Sequence, residues 1–309
     1  LMTAIFLAAT LGHGWNVLGG FAGQTSIGHG MFFGIGAYTS TMLFMHFGIS
    51  PWIGMLAGAA AAALCGVVIG LPCFRLRGHY FVIATLVVAE VVYQLFAAWD
   101  LVGSASGLSV PIREAGFANF QFHRSKVPYY YIALAMLIAA TALVWWLRQS
   151  RLGYILRGIR DDENAVASLG FSPQRYKLIA MAISAAIVGA CGVFYAQYVL
   201  FIDPPSVLAL GLSVVISLIA IFGGVGTVAG PIVGAAVLVP ISEYSRVWFS
   251  GSGRNVDLLI YGFLIMLLAV YRPNGVLSLL ELPAVRRMLR LGGARPAGGT
   301  PTHASKELA

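Results

Sequence analysis

Few residues in this chain have the type and spacing that chemistry requires, and the strongest single candidate is the carboxylate of Glu90. It lies inside a continuous apolar stretch, FVIATLVVAEVVYQLF. If that stretch spans a membrane, the carboxylate is costly there and normally faces protein or water instead of lipid. Two interpretations remain open: a polar element of a transport pathway or gate, and a hydrogen bond to Tyr93 or to another helix that fixes packing.

The sequence shows no catalytic or metal-binding set. No G-x-x-x-x-G-K-[ST] phosphate-binding loop occurs, and the segment 251–255 (GSGRN) lacks the required lysine. The cysteines Cys65, Cys73 and Cys191 lie in or beside apolar stretches, without metal-ligand spacing or a disulfide framework. We therefore predict a non-enzymatic protein without metal or cofactor. If it drives active transport, the energy comes from an ion gradient or from another subunit.

The segment 20–39 (GFAGQTSIGHGMFFGIGAYT) contains too many glycines for a stable continuous helix in its first half. Non-helical backbone inside a membrane is buried in protein or lines a water-filled cavity. The segment is predicted either to line a conduction path or to allow close helix packing, and His29 alone is more typical of a structural hydrogen bond. With the second Gly-rich turn at 222–230, the candidate pathway or helix-break residues are Gly23, Gln24, Ser26, Gly28, His29, Glu90, Gly223, Gly224 and Gly226.

The polar loop 148–177 predicts a short, separately capped helix of about two turns. Asp161 or Asp162 is a suitable N-cap, and Gly170 is a suitable C′ residue. An apolar strip on so short a helix needs a partner surface, which is either another protein or the underside of this one. The remaining residues of the pattern are Glu163 in the first turn, Ala165, Val166 and Leu169 in the strip, and Ser172 before Pro173 at the start of the next helix.

Composition identifies the elements that must position these residues. The chain has 309 residues, of which 59% are hydrophobic and 10% are charged, whereas a soluble domain has about 25% charged residues. The apolar runs have the length of membrane-spanning helices, roughly 20 residues, and do not alternate as barrel strands do. We predict an all-α, polytopic transmembrane helical bundle with nine spans, at about 2–18, 30–47, 53–71, 80–99, 128–147, 178–200, 207–222, 230–247 and 256–271.

The basic residues predict the orientation of these spans. Fourteen of the 19 Lys and Arg residues fall on one side of the membrane and five on the other, so the basic side, with loop 148–177, is predicted to be cytoplasmic. Orientation explains the net charge of +8 better than nucleic-acid binding does. Leu1 is then outside and Ala309 inside, and we expect one further helix upstream of Leu1, which makes ten natively.

The predicted spans divide the chain into a transmembrane domain, 1–291, and a cytoplasmic tail, 292–309. The tail (GGARPAGGTPTHASKELA) has almost nothing to bury and is predicted to be disordered. The longest external loop, 100–127, contains several glycines and a proline, so we expect irregular structure or short elements there.

Six stretches together resemble the LivM-type permease subunits of branched-chain amino acid importers of the ATP-binding-cassette class. The resemblance covers nearly the whole chain. Its carriers are the segment 20–39, RLRGHYFVIATLVVAEVV from Arg75, GSASGLS from Gly103, LRGIRDDENAVASLGFSPQRYKL from Leu156, FGGVGTVAGPIVGA from Phe222 and YRPNGVL from Tyr271.

The resemblance implies a permease in the bacterial cytoplasmic membrane that pairs with a homologous sister permease, two cytoplasmic ATPase subunits that bind the ATP, and a periplasmic substrate-binding protein. The implied solute is a branched-chain amino acid, with urea, short amides or another small solute as alternatives. An ion-coupled secondary transporter is less favoured, because only Glu90 is a clear mid-span acid. The implied ATPase-coupling residues, which follow the Glu-Ala-Ala…Gly pattern of such importers only loosely, are Arg160, Asp161, Asp162, Glu163, Ala165, Leu169 and Gly170.

Overall fold

Most of the chain that the structure describes is helical. Its structure, a computed structural model, describes residues 1–76, 78–111, 116, 120–122 and 125–249. The helices are α1 (Met2–Trp15), α2 (His29–Phe47), α3 (Pro51–Cys73), α4 (His79–Ala98), α5 (Val127–Gln149), α6 (Arg151–Asp161), α7 (Glu163–Ser168), α8 (Pro173–Val199), α9 (Pro204–Val207), α10 (Leu210–Gly223) and α11 (Gly230–Phe249).

Each of the first eight predicted spans corresponds to helix in the structure, with ends that differ by a few residues. Five helical stretches among the described residues are long and apolar enough to cross a membrane: Pro51–Cys73, His79–Ala98, Val127–Gln149, Pro173–Val199 and Pro204–Gly223. The predicted ninth span, 256–271, and the predicted tail, 292–309, lie outside the described residues.

Helix α8 is the central element, because α1, α2 and α3 all pack against it. Small residues permit the closest approaches: a Cβ at Gly36 of α2 would clash with the carbonyl of Gly189 in α8, and one at Gly192 would clash with the carbonyl of Phe33. On the α3 side, a Cβ at Gly58 would lie 2.7 Å from a methyl group of Val193. Helices in membranes commonly associate through such small-residue contacts.

The other helices pack around this group to different extents. Helix α1 packs against α5 and against the antiparallel pair α10 and α11, and buried aromatic side chains such as Trp15 and Phe32 fill the interior. Helix α4 is peripheral: in its most apolar 18-residue window only 17% is buried inside the protein, compared with 56% for α8. Much of α4 therefore faces outward from this chain.

The region 100–127 contains the short elements that its composition predicts. Two 3₁₀ turns, Asp100–Val102 and Ser104–Ser106, lead into a two-residue strand, β1 (Leu108–Ser109). It pairs antiparallel with β2 (Phe201–Ile202), which directly follows the end of α8. The all-α prediction therefore missed one small strand pair, and this pair fastens the loop to the end of the central helix.

Candidate functional site

The predicted helix break in the first Gly-rich segment is present. Helix α1 continues into a π-helical turn, Asn16–Phe21, and the chain is then non-helical until α2 begins at His29. Gly23 adopts a positive φ of 68°, a conformation that glycine reaches without the steric cost of a side chain. π-Helical turns are rare and often lie at functional sites, which marks this end of α1 as a candidate site.

Neighbouring helices supply partners for the backbone that the break leaves free. Two of these partners are candidate residues of the segment itself: Ser26 accepts a hydrogen bond from Gly28 N (3.3 Å), and Gln24 donates to Ala22 O (3.4 Å). The remaining donors and acceptors come from residues that the sequence did not indicate: Trp15 Nε1 donates to Ser26 O (2.8 Å), Thr85 Oγ1 accepts from Ile27 N (3.3 Å), and Ser213 Oγ accepts from Gly30 N (2.7 Å).

His29 is fully buried at the start of α2 and contacts α8. Its Nε2 lies 2.8 Å from Ser184 Oγ, and that hydroxyl lies 2.7 Å from the carbonyl of Gly14, to which it donates. Because the hydroxyl proton is used there, Nε2 is the donor to Ser184. His29, Ser26 and Gly28 are all buried, whereas Gly23 is exposed and Gln24 is intermediate. The buried members therefore hold helices together at the break.

The second Gly-rich turn meets the end of α1. Helix α10 ends at Gly223, and Gly224 and Gly226 follow with positive φ. Asn16 of the π-helical turn bonds this segment twice: its Oδ1 accepts from Gly226 N (2.8 Å), and its Nδ2 donates to Thr227 O (2.8 Å). The two Gly-rich segments, about 200 residues apart in sequence, are thus joined by one buried amide side chain.

Loop 148–177 carries the predicted short helix. Asp162 is the N-cap of α7, and its carboxylate accepts from the amides of Asn164 (2.9 Å) and Ala165 (3.1 Å). Gly170 lies at the C′ position with φ of 86°. The loop also contains an 11-residue helix, α6, which the sequence prediction missed; it is capped by Ser150.

Helix α7 presents its apolar residues in two directions. Val166 is buried against α6, where a Cβ at Gly158 would lie 3.0 Å from the Val166 side chain, whereas Ala165 and Leu169 are exposed, Leu169 by 76%. The helix is also tied to α8 by an ion pair, since Lys177 Nζ lies 2.7 Å from Glu163 Oε2. The predicted strip is therefore split: one residue anchors α7 to its own chain and two face outward.

Arg160, at the end of α6, is 39% exposed but also reaches the helix break. Its Nη1 donates to the carbonyl of Gly20 in the π-helical turn (3.1 Å), and its Nε pairs with Asp161 (3.3 Å). A Cβ at Gly23 would also lie 2.6 Å from the Arg160 side chain. The structure therefore brings together the two regions that the sequence treated separately, the short-helix loop and the helix break.

Comparison with known proteins identifies the family. Residues 1–269 match the family model described as "Branched-chain amino acid transport system / permease component". The chain belongs to this permease family. It is similar to the high-affinity branched-chain amino acid transport system permease protein LivM of Salmonella typhimurium and that of Escherichia coli, each 31% identical over 96% of this chain and over 72% and 73% of the relative. The LivH permease of Salmonella typhimurium is 24% identical over 90% of this chain and 93% of its own. No solved structure was found to match.

Glu90 has a partner that the sequence did not indicate. Its Oε1 accepts from Gln94 Nε2 (2.9 Å), one turn along α4, and within the described part of the chain no bond joins it to Tyr93 or to another helix. Both side chains are exposed on the outer face of the chain. This face repeats at helical spacing, with Ile83, Val87 and Val91 beside the two polar residues. Among the residues that the structure describes, Glu90 thus contacts its own helix, and its pathway and packing roles both stay predictions.

Proposed function

We propose that this chain is the permease subunit of an ATP-binding-cassette importer for branched-chain amino acids in the bacterial cytoplasmic membrane. Its family, and relatives named as branched-chain amino acid permeases, support the solute. ATP would be bound and hydrolysed by two separate cytoplasmic subunits, and a periplasmic binding protein would deliver the solute. The relatives include both LivM and LivH proteins, which supports pairing with a homologous sister permease.

We propose that the ATPase docks at α7, because of how α7 is attached to the rest of the permease. A capping carboxylate at Asp162, the Glu163–Lys177 ion pair and the buried Val166 fasten one side of a six-residue helix to the permease. The opposite side, with Ala165 and Leu169, is left exposed. A helix this short is not stable alone, so its rigid attachment with an apolar outer side fits a docking element. Movement of the bound ATPases would then be passed to the bundle as a rigid-body displacement.

The double variant Ala165→Arg with Leu169→Asp tests this docking surface. It places charge on the exposed side and leaves the cap and the ion pair intact, so the permease should insert normally and no longer co-purify with its ATPase. The matched control is Phe47→Asp, which charges an equally exposed apolar residue (75%) at the far end of α2. Unchanged association and transport in the double variant would refute docking at α7.

We assign the outer face of α4 to the sister permease and the solute pathway. Glu90 is near the middle of a 20-residue apolar helix, where contact with lipid costs a charged side chain about 2.5–3.5 kcal/mol or more. Its bond to Gln94 uses only part of the hydrogen-bonding capacity of the carboxylate, so we expect protein or water beyond the described residues to cover this face. Glu90→Gln should retain assembly, judged by co-purification of all subunits, and impair solute uptake by proteoliposomes. Uptake at the wild-type rate would exclude Glu90 from the pathway.

The nine-span arrangement with the C-terminus in the cytoplasm is part of the same proposal. The helices that correspond to the first eight predicted spans and the strongly basic loop 148–177 support it. Single cysteines introduced at Ser168 and at Phe47 give a direct test. A membrane-impermeant maleimide added to intact spheroplasts should label the second and not the first, and the reverse pattern would invert the topology.

A further inference from the structure

The guanidinium of Arg160 occupies the point at which three backbone segments of the permease meet. Its Nη1 lies 3.1 Å from the carbonyl oxygen of Gly20, in the π-helical turn that ends α1. In a continuing helix that carbonyl would accept from the amide of residue 24, but here Gln24 N bonds Leu18 O instead (3.2 Å). Arg160 therefore satisfies a carbonyl that the helix break leaves free, and its positive charge is favourable at a helix C-terminus.

The second Gly-rich turn passes through the same point. A Cβ at Gly226 would lie 2.9 Å from Arg160 Nη1 and 3.2 Å from the carbonyl oxygen of Gly20. Asn16 fixes this approach from the other side through its bond from Gly226 N. A side chain at Gly226 would thus displace the guanidinium, and the positive φ of 76° also favours glycine there.

Arg160 is also connected to α7 through a very short link. Helix α6 ends at Asp161, and only Asp162, the N-cap of α7, separates the two helices. Val166 of α7 packs against Gly158 of α6. A displacement of α7 therefore moves the end of α6, and with it the guanidinium that holds Gly20.

We propose that Arg160 is a positioning residue that transmits displacement of α7 to the helix break between α1 and α2. This inference rests on the proposed docking of the ATPase at α7. The break is the element that can change, because residues 22–28 are not helical and Ile27 N and Ser26 O take their partners from helices α4 and α1. When α7 moves, the bond to Gly20 either pulls the end of α1 along or breaks. In both cases the geometry of the break changes.

The experiment uses the complete transporter, with its sister permease and ATPases, in lipid nanodiscs. Hydrogen exchange is compared without nucleotide and with ATP and vanadate, in wild type, Arg160→Ala, Arg160→Lys and the control Arg157→Ala. Arg157 is a cation on the same helix, but its bonds go to Gly153 O and Arg148 O, close to it in sequence. Uptake per ATP hydrolysed is measured in parallel in proteoliposomes.

We expect peptides of α7 and of residues 18–28 both to respond to nucleotide in wild type and in Arg157→Ala. In Arg160→Ala the α7 response should persist while the response of 18–28 is lost, and uptake per ATP should fall about tenfold, a size typical of coupling between linked sites. Arg160→Lys should recover much of both, because an ammonium can still donate one bond to Gly20 O.

A response of 18–28 that survives in Arg160→Ala, with uptake per ATP unchanged, would overturn the role of Arg160 and leave the docking proposal standing. If α7 does not respond to nucleotide even in wild type, docking at α7 fails and the proposed transmission fails with it.

Discussion

Replacing Glu163 with glutamine is expected to loosen α7 far more than replacing Lys177 with methionine, although each change removes the same ion pair. The side chain of Lys177 is only 4% exposed, whereas that of Glu163 is 34% exposed. Glutamine leaves the ammonium only a neutral amide oxygen to bond where water barely reaches, and a buried charge without its counter-charge costs up to about 3–5 kcal/mol. Because the site borders solvent, we expect about 2 kcal/mol. Without the ammonium, the carboxylate regains water, so we expect about 0.5 kcal/mol, as for a surface pair.

Hydrogen exchange at the amides of α7 in the purified permease measures these values directly. Because about 1.4 kcal/mol corresponds to a tenfold change in an equilibrium constant, exchange should accelerate about 30-fold in Glu163→Gln and about twofold in Lys177→Met. The double variant removes the stranded charge and should return exchange close to that of Lys177→Met. The control is Asp161→Asn, whose carboxylate is 72% exposed in its pair with Arg160 and should change exchange by about twofold or less.

Equal acceleration in the two single variants would contradict this reasoning, because it would mean that Lys177 is as well hydrated as Glu163. A double variant that exchanges as fast as Glu163→Gln would also contradict it, since the cost would then come from the lost carboxylate and not from the stranded ammonium.

Three further substitutions have defined outcomes. Asp162→Ala removes the cap of two amides and should destabilise α7 by about 1–2 kcal/mol, seen as faster exchange and weaker ATPase co-purification, with Asp162→Asn close to wild type. Gly36→Ala forces a methyl group against a carbonyl of α8 and should lower the folded fraction in size-exclusion chromatography, with a cost of about 1–3 kcal/mol; Gly211→Ala, where a Cβ meets nothing within 4 Å, should elute like wild type. Thr85→Val removes the acceptor of Ile27 N and should lower the free energy of unfolding of the permease by about 1 kcal/mol. A lower melting temperature would show this, and Thr85→Ser should melt like wild type.

Local features of this chain were predictable from sequence because their causes lie within a few residues. The cap at Asp162, the C′ glycine at Gly170 and the start of α8 at Pro173 are all where the capping pattern indicates. The helix break is also local, since glycine density alone opposes a helix there. Helix α6 was predictable too: its buried positions Leu156 and Ile159 follow helical spacing after a serine N-cap, but the arginines around them concealed the pattern.

The contacts that organise the site join residues far apart in the chain. Arg160 is 140 residues from Gly20, and His29 is 155 residues from Ser184. No local pattern indicates which carbonyl or hydroxyl such side chains reach, because the choice depends on how the helices pack. The sequence likewise showed that Glu90 lies within an apolar helix, but not that the face of α4 that carries it is exposed among the described residues.

The central helix α8 has a consequence for communication between the two sides of the membrane. Its 27 residues form a rod about 40 Å long, with Lys177 near one end and the strand β2 directly beyond the other. The first is bonded to α7 and the second to the loop 100–111. A tilt of α8 would move its two ends, and with them α7 and the loop 100–111, in opposite directions. If the proposed binding protein docks at one end of α8 and the proposed ATPases at the other, both would act on the same rigid body, without a relay of side chains between them.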